Sequence, residues 1–236
     1  MEPVRTPDYR GAPGAVLGRA LSPQAQKVLR NTYLLLALTM IPTVGGAWLG
    51  MQTGGIILAH PIIASLAMLA AVIGLQFGIA ANRNSGIGLA LLFVLTLVLG
   101  WWIGPMIDFA LQLQNGAALV GYAAAGTGAV LFGMSAIATT TKRDFSFLGK
   151  FLFVGMIALL VAMLANMFFQ IPALALALST IAIVIFSLFI LHDLSRIVTG
   201  GETNYIMATT GVYISLLNVF VNLLQILMAL SGNSRD

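Results

Sequence analysis

Apolar residues gather along this chain into seven stretches, each close to the roughly 20 residues that an α-helix needs to cross a bilayer core. They cover residues 33–51, 56–81, 87–107, 117–138, 151–169, 172–191 and 211–230. Between them stand short polar segments, at 52–55, around Arg83, after Asp108, at 142–150 and at 199–205. Pro42 and Gly45-Gly46 are bend signals within the first stretch. His60-Pro61 falls in the first turn of the second, where proline is tolerated. The third contains Gly100-Trp-Trp-Ile-Gly104-Pro105. Its tryptophans suit a membrane interface, and its two glycines, four residues apart, allow close helix contact. The small residues Gly121, Ala125, Gly128 and Gly133 of the fourth predict close backbone approach to neighbouring helices.

The last stretch carries the most organised polar pattern. Ser215, Asn218, Asn222 and Gln225 are spaced three, four and three apart and share one helical face, while the remaining positions are almost all apolar. An amide in hydrocarbon needs a hydrogen-bond partner, so this face must meet other helices or a wet cavity. Such a helix belongs at the centre of a bundle. The stripe is either interhelical glue, the commoner role, or the lining of a permeation path.

Composition agrees with the pattern: 59% of residues are hydrophobic and 8% charged, against about 25% charged in soluble domains. The fold class is therefore an all-α integral membrane protein of seven transmembrane helices with the C-terminal helix central. Residues 1–26, rich in Pro, Gly, Ala and Arg, read as a disordered cytoplasmic tail; residues 27–236 form the transmembrane domain. Arg5, Arg10, Arg19, Lys27, Arg30, Arg83, Lys142, Arg143, Lys150 and Arg196 all fall on one side of seven spans, and Arg235 on the other. The excess marks the cytoplasmic face, which puts the N-terminus inside and the C-terminus outside. A net charge of +4 distributed in this way serves topology rather than nucleic-acid binding, so the expected partner is the lipid bilayer.

Asp193 stands apart from the other acids, which lie in tails and loops. It falls near the end of the sixth span, at about the depth of residues 211–215 by helical rise. A carboxylate there is a functional candidate or the partner of Arg196, three residues on. His192 points about 100° away from Asp193 on a helix and is not an evident proton partner. His60 lies at the opposite face. The chain has no cysteine, no zinc-protease or nucleophile-elbow motif and no lysine after Lys150. No enzyme activity or cofactor is expected from its residues, and they leave a metal site undecided.

Five blocks carry a family resemblance: Lys27-Val-Leu-Arg-Asn-Thr-Tyr33, Gly100-Trp-Trp-Ile-Gly-Pro105, Thr141-Lys-Arg-Asp-Phe-Ser-Phe-Leu-Gly149, Gly200-Gly-Glu-Thr-Asn-Tyr-Ile206 and Tyr213-Ile-Ser-Leu-Leu-Asn-Val-Phe220. In this order they resemble the Bax inhibitor-1 family, most closely its bacterial YccA-like branch. The resemblance implies seven helices with the last wrapped by the other six, in a bacterial inner membrane. It implies two functions. YccA-like members modulate the membrane protease FtsH, and can be its substrate through the N-terminal tail. Channel-like members leak calcium, which would be a transported ion here, and respond to pH through two aspartates. Asp193 matches the first of these, Ser215 stands where the second is expected, and Asn218 matches the asparagine that follows.

Overall fold

The computed structural model describes residues 21–141 and 143–232. Its elements are α1 (Pro23–Thr53), the short α2 (Gly55–Ala59), α3 (Pro61–Ala81), α4 (Gly86–Gln112), α5 (Gly116–Thr141), α6 (Leu148–Phe169), α7 (Pro172–Thr199) and α8 (Tyr205–Gly232). All but α2 are long and apolar enough to cross a membrane, so the seven expected spans are present. The chain is an all-α integral membrane protein.

Several boundaries differ from the sequence expectation, and four of them have a clear local reason. Residues 1–20 of the expected tail lie outside the described residues, but Pro23–Gln26 is the first turn of α1. The Ser22 hydroxyl accepts the Ala25 N–H at 3.1 Å, and Pro23 starts the helix with its φ already set. The second apolar stretch is broken at His60 (φ −138°, ψ 68°), because the proline ring disfavours helical backbone in the residue before it; α3 begins at Pro61. Asp108 sits inside α4, where it accepts a 2.9 Å bond from Gln112 Nε2 one turn on. The last helix begins at Tyr205 rather than near Gly211. Asn204 Oδ1 accepts the N–H groups of Ile206 and Met207 at 3.0 and 3.1 Å. Thr209 and Thr210 then return their hydroxyls to the carbonyls of Tyr205 and Ile206, so these polar residues fit within a buried helix.

The closest pair of spans is α1 with α4. A Cβ placed on Gly46 would lie 2.1 Å from the Leu97 carbonyl oxygen, and one on Gly100 would lie 2.2 Å from that of Thr43. Gly50 and Gly104 abut in the same way. The close contact expected at Gly100 and Gly104 is therefore made. The one expected of α5 is not: a Cβ on Gly121, Gly128 or Gly133 would meet nothing within 4 Å. Small residues permit close approach from any side, and here no backbone approaches theirs. Gly128 instead borders an apolar recess of about 390 Å³ between α1, α4, α5 and α8.

α8 touches α1, α3, α4, α5 and α7, and none of its side chains from residue 206 to 228 is exposed. Its partner across the principal core is α7, through Ile190, Leu194, Val212 and Val219. The Tyr213 hydroxyl, 1% exposed with its residue, lies 2.7 Å from the Thr43 hydroxyl of α1 and 3.3 Å from the Thr96 carbonyl of α4, the Thr43 hydroxyl being its closer partner.

Candidate functional site

The polar site is built where α7 ends and α8 begins. α7 stops because Gly200 takes a left-handed conformation (φ 84°), with its N–H bonded to the Ile197 carbonyl at 3.2 Å. The chain then doubles back, and the Glu202 N–H reaches the Arg196 carbonyl at 3.0 Å. This reversal carries the Glu202 carboxylate under the helix end. Its Oε2 lies 3.6 Å from Arg196 Nη2, and its Oε1 accepts the Asn204 N–H at 2.9 Å. Arg196 is thus paired with Glu202, and the expected pair with Asp193 gives way to it. A partner folded back across the turn wins over one on the same helix.

Asp193 bonds His192 instead: Oδ1 is 3.1 Å from Nδ1. This corrects the expectation from helical angle, which separates the two side chains. Nδ1 is the ring nitrogen nearest the backbone, and two short-reaching groups on adjacent residues can meet there despite divergent Cα–Cβ directions. The Nε2 edge of the imidazole lies close to α6, where a Cβ on Gly149 would come within 2.8 Å of it. The second Asp193 oxygen faces α8, where a Cβ on Gly211 would lie 2.5 Å from it. Gly211 therefore leaves room for the carboxylate, and the depth expected for Asp193 is met.

These groups surround a cavity of about 170 Å³ whose lining includes Gln76 of α3 with Asp193, Arg196, Glu202, Thr210 and Gly211. Sequence reasoning missed Glu202 and Gln76. Glu202 lies within one of the matching blocks, and Gln76 is an amide in a largely apolar span; these were the available signals. Nearby loops are fastened to the same frame. Ser195 Oγ donates to the Arg143 carbonyl at 2.8 Å and accepts the Phe145 N–H at 3.2 Å. Asn204 Nδ2 donates to the Arg83 carbonyl and to Asn84 Oδ1, both at 2.8 Å. In the α5–α6 loop, hydrogen bonds from the Ser146 hydroxyl, then from its backbone N–H, hold the exposed Asp144 carboxyl below its ordinary range.

The stripe on α8 does not join this cavity. Ser215 is buried one turn beyond Gly211. Asn218 Nδ2 donates to the Ile214 carbonyl and Asn222 Nδ2 to the Asn218 carbonyl, each at 2.8 Å. One N–H of each amide is thus bonded within its own helix, to the carbonyl four residues back, and no bond from Asn218 or Asn222 to another helix is seen among the described residues. Gln225 lies towards the other end of the bundle. Asn222→Leu is expected to cost at most about 1 kcal/mol, since the bond it removes crosses no interface. A fall in melting temperature as large as that of a core truncation would restore the glue reading.

Comparison with known proteins agrees with this architecture. The sequence profile of the family described as "Inhibitor of apoptosis-promoting Bax1" matches residues 25–233. A membrane protein of Vibrio cholerae is 41% identical, over 89% of this chain and 92% of its own length. The protein of Escherichia coli K12 named "Modulator of FtsH protease YccA" is also 41% identical, over 85% of this chain and 89% of its own. A Campylobacter jejuni protein is 33% identical over 88% and 89% respectively.

Proposed function

The chain belongs to the Bax inhibitor-1 family, and on that footing we propose that it is an inner-membrane modulator of the protease FtsH. The observation that carries this reading is the 41% identity to the E. coli modulator across 85% of the chain. The family match, from residue 25 to 233, spans all seven membrane helices and the loops fastened around the Asp193 cavity. The test is co-purification of the tagged full-length chain with FtsH from native membranes, together with the degradation rate of an FtsH membrane substrate with and without the chain. Binding with an altered rate is the expected result. Neither binding nor a change in rate would sink the proposal.

The cavity supports a second reading, a calcium leak. Two carboxylates, Asp193 and Glu202, line a polar cavity at a helix end, and oxygen ligands of this kind suit a hard dication. Calcium entry into proteoliposomes holding the purified chain distinguishes the readings, because it needs no FtsH.

Orientation follows from the basic residues. The end that carries Arg83, Arg143 and Arg196 faces the cytoplasm. In intact cells, a cysteine replacing Arg83 or Arg143 is expected to be shielded from an impermeant thiol reagent, and one replacing Asn233 to react. The reverse pattern would invert the topology.

A further inference from the structure

At the end of the bundle opposite the Asp193 cavity, α6, α7 and α8 line a second, open recess of about 250 Å³. Its polar lining is Asn166, Ser179 and Gln225, with Met163, Met167 and Leu178 completing most of the wall. Ser179 is 1% exposed, and its hydroxyl has no hydrogen-bond partner. Hydroxyls on the same helix behave otherwise: Thr180 donates to the Leu176 carbonyl at 2.9 Å and Ser187 to the Ile183 carbonyl at 2.6 Å. The Gln225 amide makes no hydrogen bond among the described residues. Asn166 Oδ1 accepts the Ile171 N–H at 3.1 Å, which leaves the nitrogen of that amide for the recess.

An unpaired buried hydroxyl is destabilising, and hydrocarbon offers it no partner. Water does. The recess has room for several molecules at about 30 Å³ each, and three polar side chains to hold them. No charged side chain lines it, so it lacks the carboxylates that replace the hydration shell of a hard cation. We propose that this recess is a hydrated site within the membrane-spanning bundle, taking water and small neutral solutes that both donate and accept hydrogen bonds. Ser179 marks its depth, about 10 Å along α7 from Pro172. Gln225 lies one turn from Asn222, so hydration reaches the end of the α8 stripe and stops where the amides turn to their own helix. The inference is independent of the FtsH reading.

The chain has no cysteine, which permits a direct test on the full-length protein in proteoliposomes. A thiol reacts as its thiolate, which needs water. Ser179→Cys, Gln225→Cys and Ser187→Cys are treated with methyl methanethiosulfonate and the mass gain is followed over time. Ser187 is buried on the same helix, and its hydroxyl is already bonded to a carbonyl. The Ser179→Cys and Gln225→Cys thiols are expected to react at least about tenfold faster than the Ser187→Cys thiol, and all three to react fully in denaturing detergent. Adding Gln225→Leu to Ser179→Cys should slow its reaction severalfold. Equal rates at positions 179 and 187, or reaction at 179 and 225 only after denaturation, would overturn the proposal. Gln225→Cys keeps it testable should Ser179→Cys fail to fold.

Discussion

Gly100→Ala is expected to lower the melting temperature of the detergent-solubilised protein by about 5–10 °C, whereas Gly45→Ala leaves it unchanged or raises it slightly. The two substitutions add the same methyl group to a membrane helix. At Gly100 the new carbon would lie 2.2 Å from the Thr43 carbonyl oxygen, and at Gly45 it would meet nothing within 4 Å. Backbone cannot rotate aside as a side chain can, so α1 and α4 must separate along the face where Gly46, Gly50 and Gly104 also abut. Overpacking costs about 1–3 kcal/mol, and more where the obstacle is rigid; the better helix propensity of alanine returns about 1 kcal/mol. A net loss of about 2–3 kcal/mol corresponds to the stated shift for a chain of this size. Gly46→Ala, next to Gly45 in sequence, should behave like Gly100→Ala. Equal melting temperatures for Gly45→Ala and Gly46→Ala would show that α1 and α4 do not meet backbone to backbone.

The α1–α4 contact also shows what a sequence of this kind reveals. Gly100 and Gly104 were legible because a four-residue spacing in one apolar span puts both on one face. The α5 glycines mislead because small residues state what a face permits and not what covers it. The seven spans were legible from apolar length alone, since hydrocarbon fixes how much chain must be apolar. Their ends were not, because Ser22, Asn204 and the His60-Pro61 break act through local backbone geometry rather than hydropathy. At the candidate site, Asp193 stood out as an acid at the end of an apolar helix, and its depth against Gly211 followed from helical rise. Its true neighbours did not follow. Glu202 reaches Arg196 only because Gly200 turns the chain back, and His192 reaches Asp193 through the near-backbone position of Nδ1. The amides of α8 were legible as a stripe, but the pattern left open whether their donors were satisfied within their own helix or beyond it.

Tyr213→Ala is expected to be more damaging than any of the glycine substitutions, costing about 3–5 kcal/mol, and Tyr213→Phe to cost about 1 kcal/mol. The ring is 1% exposed at the base of the apolar recess, so truncation extends that recess inwards and removes packing that nothing replaces. The hydroxyl matters less. Without it, the Thr43 hydroxyl keeps the Thr39 carbonyl, 2.7 Å away, as an acceptor for its one proton, so the Phe variant leaves that group paired. Thr43 also links positions 100 and 213. Its hydroxyl bonds Tyr213, and its carbonyl oxygen is the atom that an alanine methyl at position 100 would strike. Gly100→Ala must therefore displace the residue that clasps α8 to α1. Some of its cost should be the loss of the Tyr213–Thr43 bond, which Tyr213→Phe also removes. The double variant should then be less destabilised than the sum of the singles, by about 0.5 kcal/mol or more. The measurement is a double-mutant cycle on thermal unfolding in one detergent. Strict additivity would mean that α1 moves away from α4 without disturbing its clasp on α8, and that the two contacts are separate supports of the bundle.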